Sequence, residues 1–294
     1  MNLFDDLEEI SNAEYETSTQ IIDNIIADFT SPNRELPSVS GYKSLEYFFK
    51  GFKRNQITIL SARTSMGKTC AALNLTLNQL NNNKTVLYID LEEQKEANFH
   101  RMLSNITNYP LRDKLDNEEL TQFDYDITLK ILNLGKDKLR NKNLYYVSKP
   151  NLTLNAIEQI AKTIPDLDLI VIDHLTKIKS NVKGSLYERV TDVASNLRQL
   201  SYNLNGVPLL VLAQINRGTE DKKDKRPLLS DLKGSGEIEE NADVVIMLYS
   251  EGYYESDTPD EEPIEFIFRK NRHGRIGTAK LLLNRPLQKI TDIK

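Results

Sequence analysis

A short apolar run, Ile57-Thr58-Ile59-Leu60, enters the loop Ser61-Ala62-Arg63-Thr64-Ser65-Met66-Gly67-Lys68-Thr69. The chain leaves that loop through the helix-patterned Ala71-Ala72-Leu73-Asn74-Leu75. A strand that turns on a tight loop into a helix commits the chain to an α/β unit, because the helix must pack back on the sheet that holds the strand. The loop also has the composition of a phosphate cradle. Gly67 lets the backbone wrap close to an anion, and the N–H groups and dipole of the helix start favour negative charge. Lys68 has the reach for β- and γ-phosphates, and Thr69 has a hydroxyl suited to Mg²⁺. The first position of the pattern departs from glycine and is Ala62. By itself the segment is also compatible with an ordinary strand–turn–helix corner.

Downstream, short apolar runs alternate with helical patterns. The runs are Ile57–Leu60, Val86–Leu91, Leu144–Val147, Leu167–Asp173, Val207–Ala213, Asp243–Leu248, Ile264–Arg269 and Ala279–Leu283. Helical spacing falls near 69–80, 94–104, 117–141, 153–163 and 186–205, the last marked by Leu186, Val190, Val193, Leu197, Leu200 and Leu204. This alternation predicts an α/β fold with a mostly parallel central sheet flanked by helices. The last two runs flank Asn271-Arg272-His273-Gly274 and predict a hairpin at the sheet edge.

Charge is unevenly spread along the 294 residues, whose net charge is -5. Residues 1–33 hold eight acids and no Lys or Arg, so the remainder carries a small excess of base. That balance is compatible with nucleic-acid binding by the body without being diagnostic. Within the arm, Leu3, Phe4, Leu7 and Ile10 share one helical face, and Ile21, Ile22, Ile25, Ile26 and Phe29 share another. A free helix this short is marginal in water, so the second stripe is expected to be buried against the chain's own core or a neighbouring subunit. No apolar run approaches the ~20 residues of a membrane span. The acidic start resembles neither a secretory signal nor an Arg-rich transit peptide. The single Cys70 excludes an intramolecular disulfide and reads as a small buried residue, and His100, His174 and His273 lack metal-ligand spacing. The expected location is the cytoplasm, with no membrane partner.

Three further strand ends carry polar chemistry. Leu169-Ile170-Val171-Ile172 ends in Asp173, and strand ends are where ligands sit in open α/β sheets. Asp173 is therefore the candidate acid for a metal beside the loop, although many such acids only cap a turn. Val86-Leu87-Tyr88-Ile89 leads to Asp90-Leu91-Glu92-Glu93. Glu92 is the candidate base for an attacking water, with Glu93 and Asp90 as rivals. Strand alternation would place Asp90 and Glu92 on one side and Glu93 on the other. Leu209-Leu210-Val211-Leu212-Ala213 ends in Gln214, an amide suited to report a γ-phosphate.

In order and spacing the chain resembles the C-terminal RecA-like ATPase domain of DnaB-type replicative helicases. The resemblance rests on the 61–69 loop, Leu91-Glu92 with Arg101-Met102-Leu103, and Ile170-Val171-Ile172-Asp173-His174-Leu175. It continues through Ala213-Gln214-Ile215-Asn216-Arg217, Lys225-Arg226-Pro227-Leu228-Leu229-Ser230-Asp231-Leu232-Lys233 and Ile238-Glu239-Glu240-Asn241-Ala242-Asp243. It ends with Lys270-Asn271-Arg272-His273-Gly274 and Gly277-Thr278, and it covers about residues 36–285. Ala at the first loop position is common in that family.

The resemblance implies a P-loop NTPase that assembles as a ring, usually of six subunits, with ATP between neighbours. Ala62, Arg63, Thr64, Ser65, Met66, Gly67, Lys68, Thr69 and Cys70 would cradle the nucleotide. Thr69 and Asp173 would hold Mg²⁺, Glu92 would activate water, and Gln214 would sense the γ-phosphate. Arg272, with Lys270 beside it, would enter the neighbour's site as an arginine finger, although without the family pattern Arg269-Lys270-Asn271-Arg272 reads rather as a solvated hairpin tip. Single-stranded DNA would meet Lys233, Gly234 and Gly236 in the central-channel loop and Lys179 and Lys183 in a second basic loop. Lys233 replaces the family's usual Arg and Gly234 its usual acid, so the grip is expected to differ, since Lys binds phosphate as a point charge. The implied organisation is an acidic helical arm or linker helix over 1–35 and the motor over 36–294, without the family's N-terminal domain. The implied activity is ATP-driven 5′–3′ translocation and unwinding of DNA, with a helicase loader or other replication proteins as partners. Two alternatives remain at this level: a DNA-dependent ATPase that does not unwind, and a helicase-like protein that joins, loads or inhibits another helicase ring.

Overall fold

The computed structural model describes residues 17–31, 39–115, 121–216, 224–232, 235–254 and 259–293. Contacts divide the chain into two units, Met1–Leu36 and Pro37–Lys294. The first contains α1 (Ser18–Thr30), whose Ile21, Ile22, Ile25 and Ile26 are 45–62% exposed. The Leu3–Ile10 stripe and the Phe29 side chain lie outside the described residues.

The second unit contains α2 (Lys43–Glu46), β1 (Ile57–Ala62), α3 (Lys68–Asn81), β2 (Thr85–Asp90), α4 (Lys95–Thr107), α5 (Leu111–Leu115), α6 (Gln122–Leu139) and β3 (Leu144–Ser148). Then follow α7 (Leu154–Lys162), β4 (Leu167–Asp173), α8 (Leu186–Asn203), β5 (Leu209–Gln214), α9 (Ser235–Asn241), β6 (Val244–Tyr249), β7 (Glu261–Asn271), β8 (Gly277–Asn284) and β9 (Lys289–Asp292). Among the described residues the strands form one sheet in the order β3-β2-β4-β5-β1-β6-β7-β8-β9. Pairing is parallel from β3 through β6 and antiparallel from β6 through β9.

The strand composition explains this layering. β1, β2 and β6 are buried along their whole length, as expected for parallel strands covered on both faces. Alternate side chains feed two cores. Leu60, Tyr88, Val171 and Leu210 pack with α3 and Phe266 on one face, while Ile59, Ile89, Ile172 and Val211 pack with α8 on the other. Helix α8 starts at a capping box, Ser185 with Glu188, and buries Val190, Val193, Leu197 and Leu200. Leu186, counted in the apolar ladder, is instead 38% exposed in the first turn. Helix α6 starts later than expected, where Thr121 and Asp124 form another capping box. No helix among the described residues is long and apolar enough to cross a membrane.

Two expectations need correction. The β7–β8 hairpin is not the sheet edge, because β9 pairs with β8 beyond it. Asp90 and Glu92 do not share one side of a strand, because β2 ends at Asp90 and the next residues bend away. Register then sets the chemistry: Asp90 lies beside Asp173, and Ala62 beside Gln214, along one carboxyl edge.

Candidate nucleotide site

The loop between β1 and α3 turns through two left-handed residues, Ser65 (φ 65°) and Gly67 (φ 89°). Gly67 sits at the N-cap of α3, and no side chain caps that helix start. The N-terminal N–H groups and dipole of a fourteen-residue helix therefore face the cavity. A Cβ on Gly67 would meet nothing closer than 3.7 Å, so the glycine is required by backbone conformation and not by space.

The cavity has a volume of about 340 Å³ and is lined by Arg63, Thr64, Ser65, Gly67, Lys68, Thr69, Cys70, Glu92, Glu93, Arg101, His174, Gln214, Leu283, Arg285 and Gln288. Ala62 and Met66 bury their side chains in the core, so their contribution to a cradle is limited to backbone. The Arg63 guanidinium reaches back to the Ile215 carbonyl at 3.4 Å. Cys70 is buried, and burial pushes its thiol up to about 12, which makes it an unreactive packing residue.

Asp173 lies behind the loop and is 3% exposed. Its Oδ2 accepts from the Thr69 hydroxyl at 2.9 Å and the Tyr88 hydroxyl at 3.3 Å, while its Oδ1 is buried without a hydrogen-bond partner. Burial raises the Asp173 carboxyl above its ordinary range, and the Lys68 ammonium opposes that shift. Burial likewise pushes Lys68 down, against the pull of Asp173 and Glu92. A buried oxygen with no donor beside a threonine hydroxyl is a donor set that fits a hard divalent cation such as Mg²⁺.

The three acids differ in their surroundings. Asp90 is 1% exposed, and its Oδ1 accepts from the backbone N–H groups of Glu92 (3.0 Å) and Glu93 (2.9 Å). Its Oδ2 accepts from Asn98 Nδ2 (2.8 Å) and the Tyr146 hydroxyl (2.6 Å). Asp90 is therefore the anchor of the turn, with its acceptor capacity spent. Glu93 is paired with Arg101. Glu92 remains, 46% exposed, with Oε2 accepting from His174 Nε2 at 3.0 Å. That hydrogen bond holds its carboxyl below the usual range, and partial burial opposes it. Gln214, at the end of β5, donates from Nε2 to the Thr64 hydroxyl at 2.7 Å, which ties it to the β1–α3 loop.

Lys270 and Arg272 do not line this cavity. Lys270 Nζ donates to the Glu239 carbonyl, and Arg272 donates to the Glu240 carbonyl at 2.7 Å and to Asp243 at 3.3 Å. Both therefore cap the C-terminal end of α9. Of the DNA-facing candidates, Lys179, Lys183 and Gly236 are exposed, while Lys233 and Gly234 lie outside the described residues. Sequence reasoning missed Leu283, Arg285 and Gln288, which reach the cavity from the antiparallel end of the sheet and carry no local signal. It also gave no role to His174 or Arg101, although both stand inside quoted motifs.

The family model of the DnaB-like helicase C terminal domain matches residues 38–292. The Bacillus subtilis replicative DNA helicase DnaC is 31% identical over 264 residues, covering 87% of this chain and 56% of that protein. The Geobacillus stearothermophilus replicative DNA helicase DnaB has the same identity and coverage. The chain thus spans about half the length of the curated relatives it matches. Among solved structures, one described as an ATPase domain superposes with a TM-score of 0.84 at 23% identity, over 96% of this chain and 100% of that one. A DnaB-like replicative helicase described with its primase interactions gives 0.81 at 24% identity, over 99% of this chain and 71% of that one. With its phosphate loop, strand-end acids and sheet order in the places described above, the chain belongs to the DnaB-like helicase C-terminal domain family.

Proposed function

We propose that this protein is an ATP-hydrolysing motor of the replicative-helicase type, working in a ring on single-stranded DNA. The observation that carries the reading is the position of Glu92. It is the acid of its turn held neither by backbone N–H groups nor by an arginine, and it lines the cavity with Lys68 and Thr69, with Asp173 behind them. Lys68 and the start of α3 bind and orient the phosphates. Glu92 accepts the proton of an attacking water, and Gln214 reads the γ-phosphate through the loop it touches at Thr64. Thr69 and Asp173 would hold Mg²⁺, which when bound neutralises charge developing on the transferred phosphoryl group.

Loose phosphoryl transfer spreads negative charge that a cation from a neighbouring subunit can meet. Arg272 and Lys270 lie outside their own cavity, so they are assigned to a neighbour's site in a head-to-tail ring, the six-subunit ring being the family's usual form. Lys179, Lys183, Lys233 and the glycines Gly234 and Gly236 are assigned to the DNA path, with residues 1–35 as the arm that joins subunits and 36–294 as the motor. A loader, or a primase as in the related helicase structure, is the kind of protein partner the ring would take.

The test is ATP hydrolysis with and without single-stranded DNA, combined with particle sizing and strand displacement on a forked duplex. DNA-stimulated hydrolysis by a ring that displaces the strand supports the proposal. Stimulated hydrolysis without displacement indicates a non-unwinding ATPase, and an inert monomer indicates an interaction protein.

A further inference from the structure

His174 follows the metal-side acid Asp173 and is 3% exposed, yet both ring nitrogens have partners. Nδ1 lies 3.0 Å from the Thr176 hydroxyl, and Nε2 lies 3.0 Å from Glu92 Oε2. A carboxylate can only accept, so Nε2 carries the proton; in the neutral ring Nδ1 then accepts from the Thr176 hydroxyl. One neutral tautomer satisfies both contacts. Glu92 has a flexible side chain that is 46% exposed, and this contact is what restrains its rotamer. The two residues follow different strands, β2 and β4, and the strand ends are already joined by the Leu91 N–H donating to the Asp173 carbonyl at 2.7 Å.

We infer that His174 is a positioning residue for Glu92: the Thr176-oriented imidazole holds Oε2 so that Oε1 is presented to the attacking water. This rests on the reading of Glu92 as the base. It also accounts for a polar ring at a buried position that packing alone would fill with an apolar one. The bond aligns the base for the reaction and adds nothing to nucleotide binding, so its loss lowers turnover and spares affinity.

Steady-state ATP hydrolysis by the full chain with single-stranded DNA tests this. His174→Phe keeps a planar ring and removes the donor; kcat should fall about 10–10²-fold while KM and nucleotide affinity stay within about twofold. His174→Gln restores an N–H donor and should recover much of the loss. In a Glu92→Gln background, His174→Phe should cost little more, because the two residues act as one unit. Thr176→Val, which leaves the ring free to turn, should lower kcat in the same sense and serves if His174→Phe does not fold. Full kcat in both His174→Phe and Thr176→Val, or a glutamine variant no better than phenylalanine, overturns the inference. Full turnover in Glu92→Gln alone instead removes the base assignment, and the inference with it.

Discussion

At the scale of single residues, the proposed function separates groups that bind from groups that react. Lys68 is half-buried, within electrostatic reach of Asp173 and Glu92, and is proposed to supply positive charge to the phosphates. Lys68→Ala should remove detectable hydrolysis and weaken nucleotide binding, measured by turnover and by titration with a fluorescent nucleotide. Glu92 does not share that duty. Glu92→Gln should bind nucleotide nearly as the parent does and hydrolyse it about 10²–10⁴-fold more slowly. Equal losses of binding in the two variants would remove this division of labour. Glu93→Gln should leave turnover much closer to normal, because Glu93 is already committed to Arg101.

Between elements, charge pairs tie loops to the sheet. Arg226, in the segment before α9, donates to Glu265 on β7 from Nε at 2.7 Å and Nη2 at 2.9 Å, and its guanidinium lies over the Tyr249 ring at 4.7 Å. Arg226 holds the Glu265 carboxyl below its ordinary range. A depressed folded-state pKa gives stability that is fully present above the unfolded value and is lost as pH falls through the folded one. Arg226→Met should therefore destabilise by about 2 kcal/mol near neutral pH, since Glu265 is only 7% exposed and, among the described residues, keeps Lys280 at 3.5 Å. The gap from the parent should narrow as pH is lowered through the carboxylate range. Urea denaturation at several pH values reads it out, and a gap that widens in acid would contradict the assignment.

For the molecule as a whole, the catalytic unit proposed here is larger than one chain. In the single chain Arg272 rests on Asp243 and the Glu240 carbonyl, away from the cavity. Arg272→Ala should lower turnover by about 10³–10⁵-fold, the range seen when a trans finger is lost, with a much smaller change in ATP affinity. Mixing Arg272→Ala with Lys68→Ala subunits should restore some hydrolysis, because some mixed interfaces carry both intact halves. Verified mixed rings with no recovered activity would argue against independent trans sites. The exposed isoleucines of α1 suggest that the arm contributes to assembly. Deleting residues 1–30 should loosen the oligomer in sedimentation velocity while leaving the melting temperature of the larger unit nearly unchanged. An oligomer that is indifferent to the deletion would assign the arm to another partner.

The sequence by itself determined the layers and the candidate loop. Buried parallel strands read as continuous apolar runs, and Gly67-Lys68-Thr69 announces its conformation and chemistry within a few residues. It also nominated Glu92, Asp173 and Gln214, because strand ends are local features. Only the tertiary structure decided which partners each acid meets. Asp90, Glu92 and Glu93 are all acids, and their surroundings diverge through Asn98 and Arg101 on the helix that follows and through Tyr146 on β3 and His174 after β4, which are distant in sequence. The same holds for Leu283, Arg285 and Gln288, brought to the cavity by three antiparallel pairings beyond β6. The β9 edge and α9 are short segments whose existence depends on their neighbours. Local pattern fixes backbone conformation and burial, whereas a carboxylate's role is set by the donors around it, and those are assembled only when distant strands come into register.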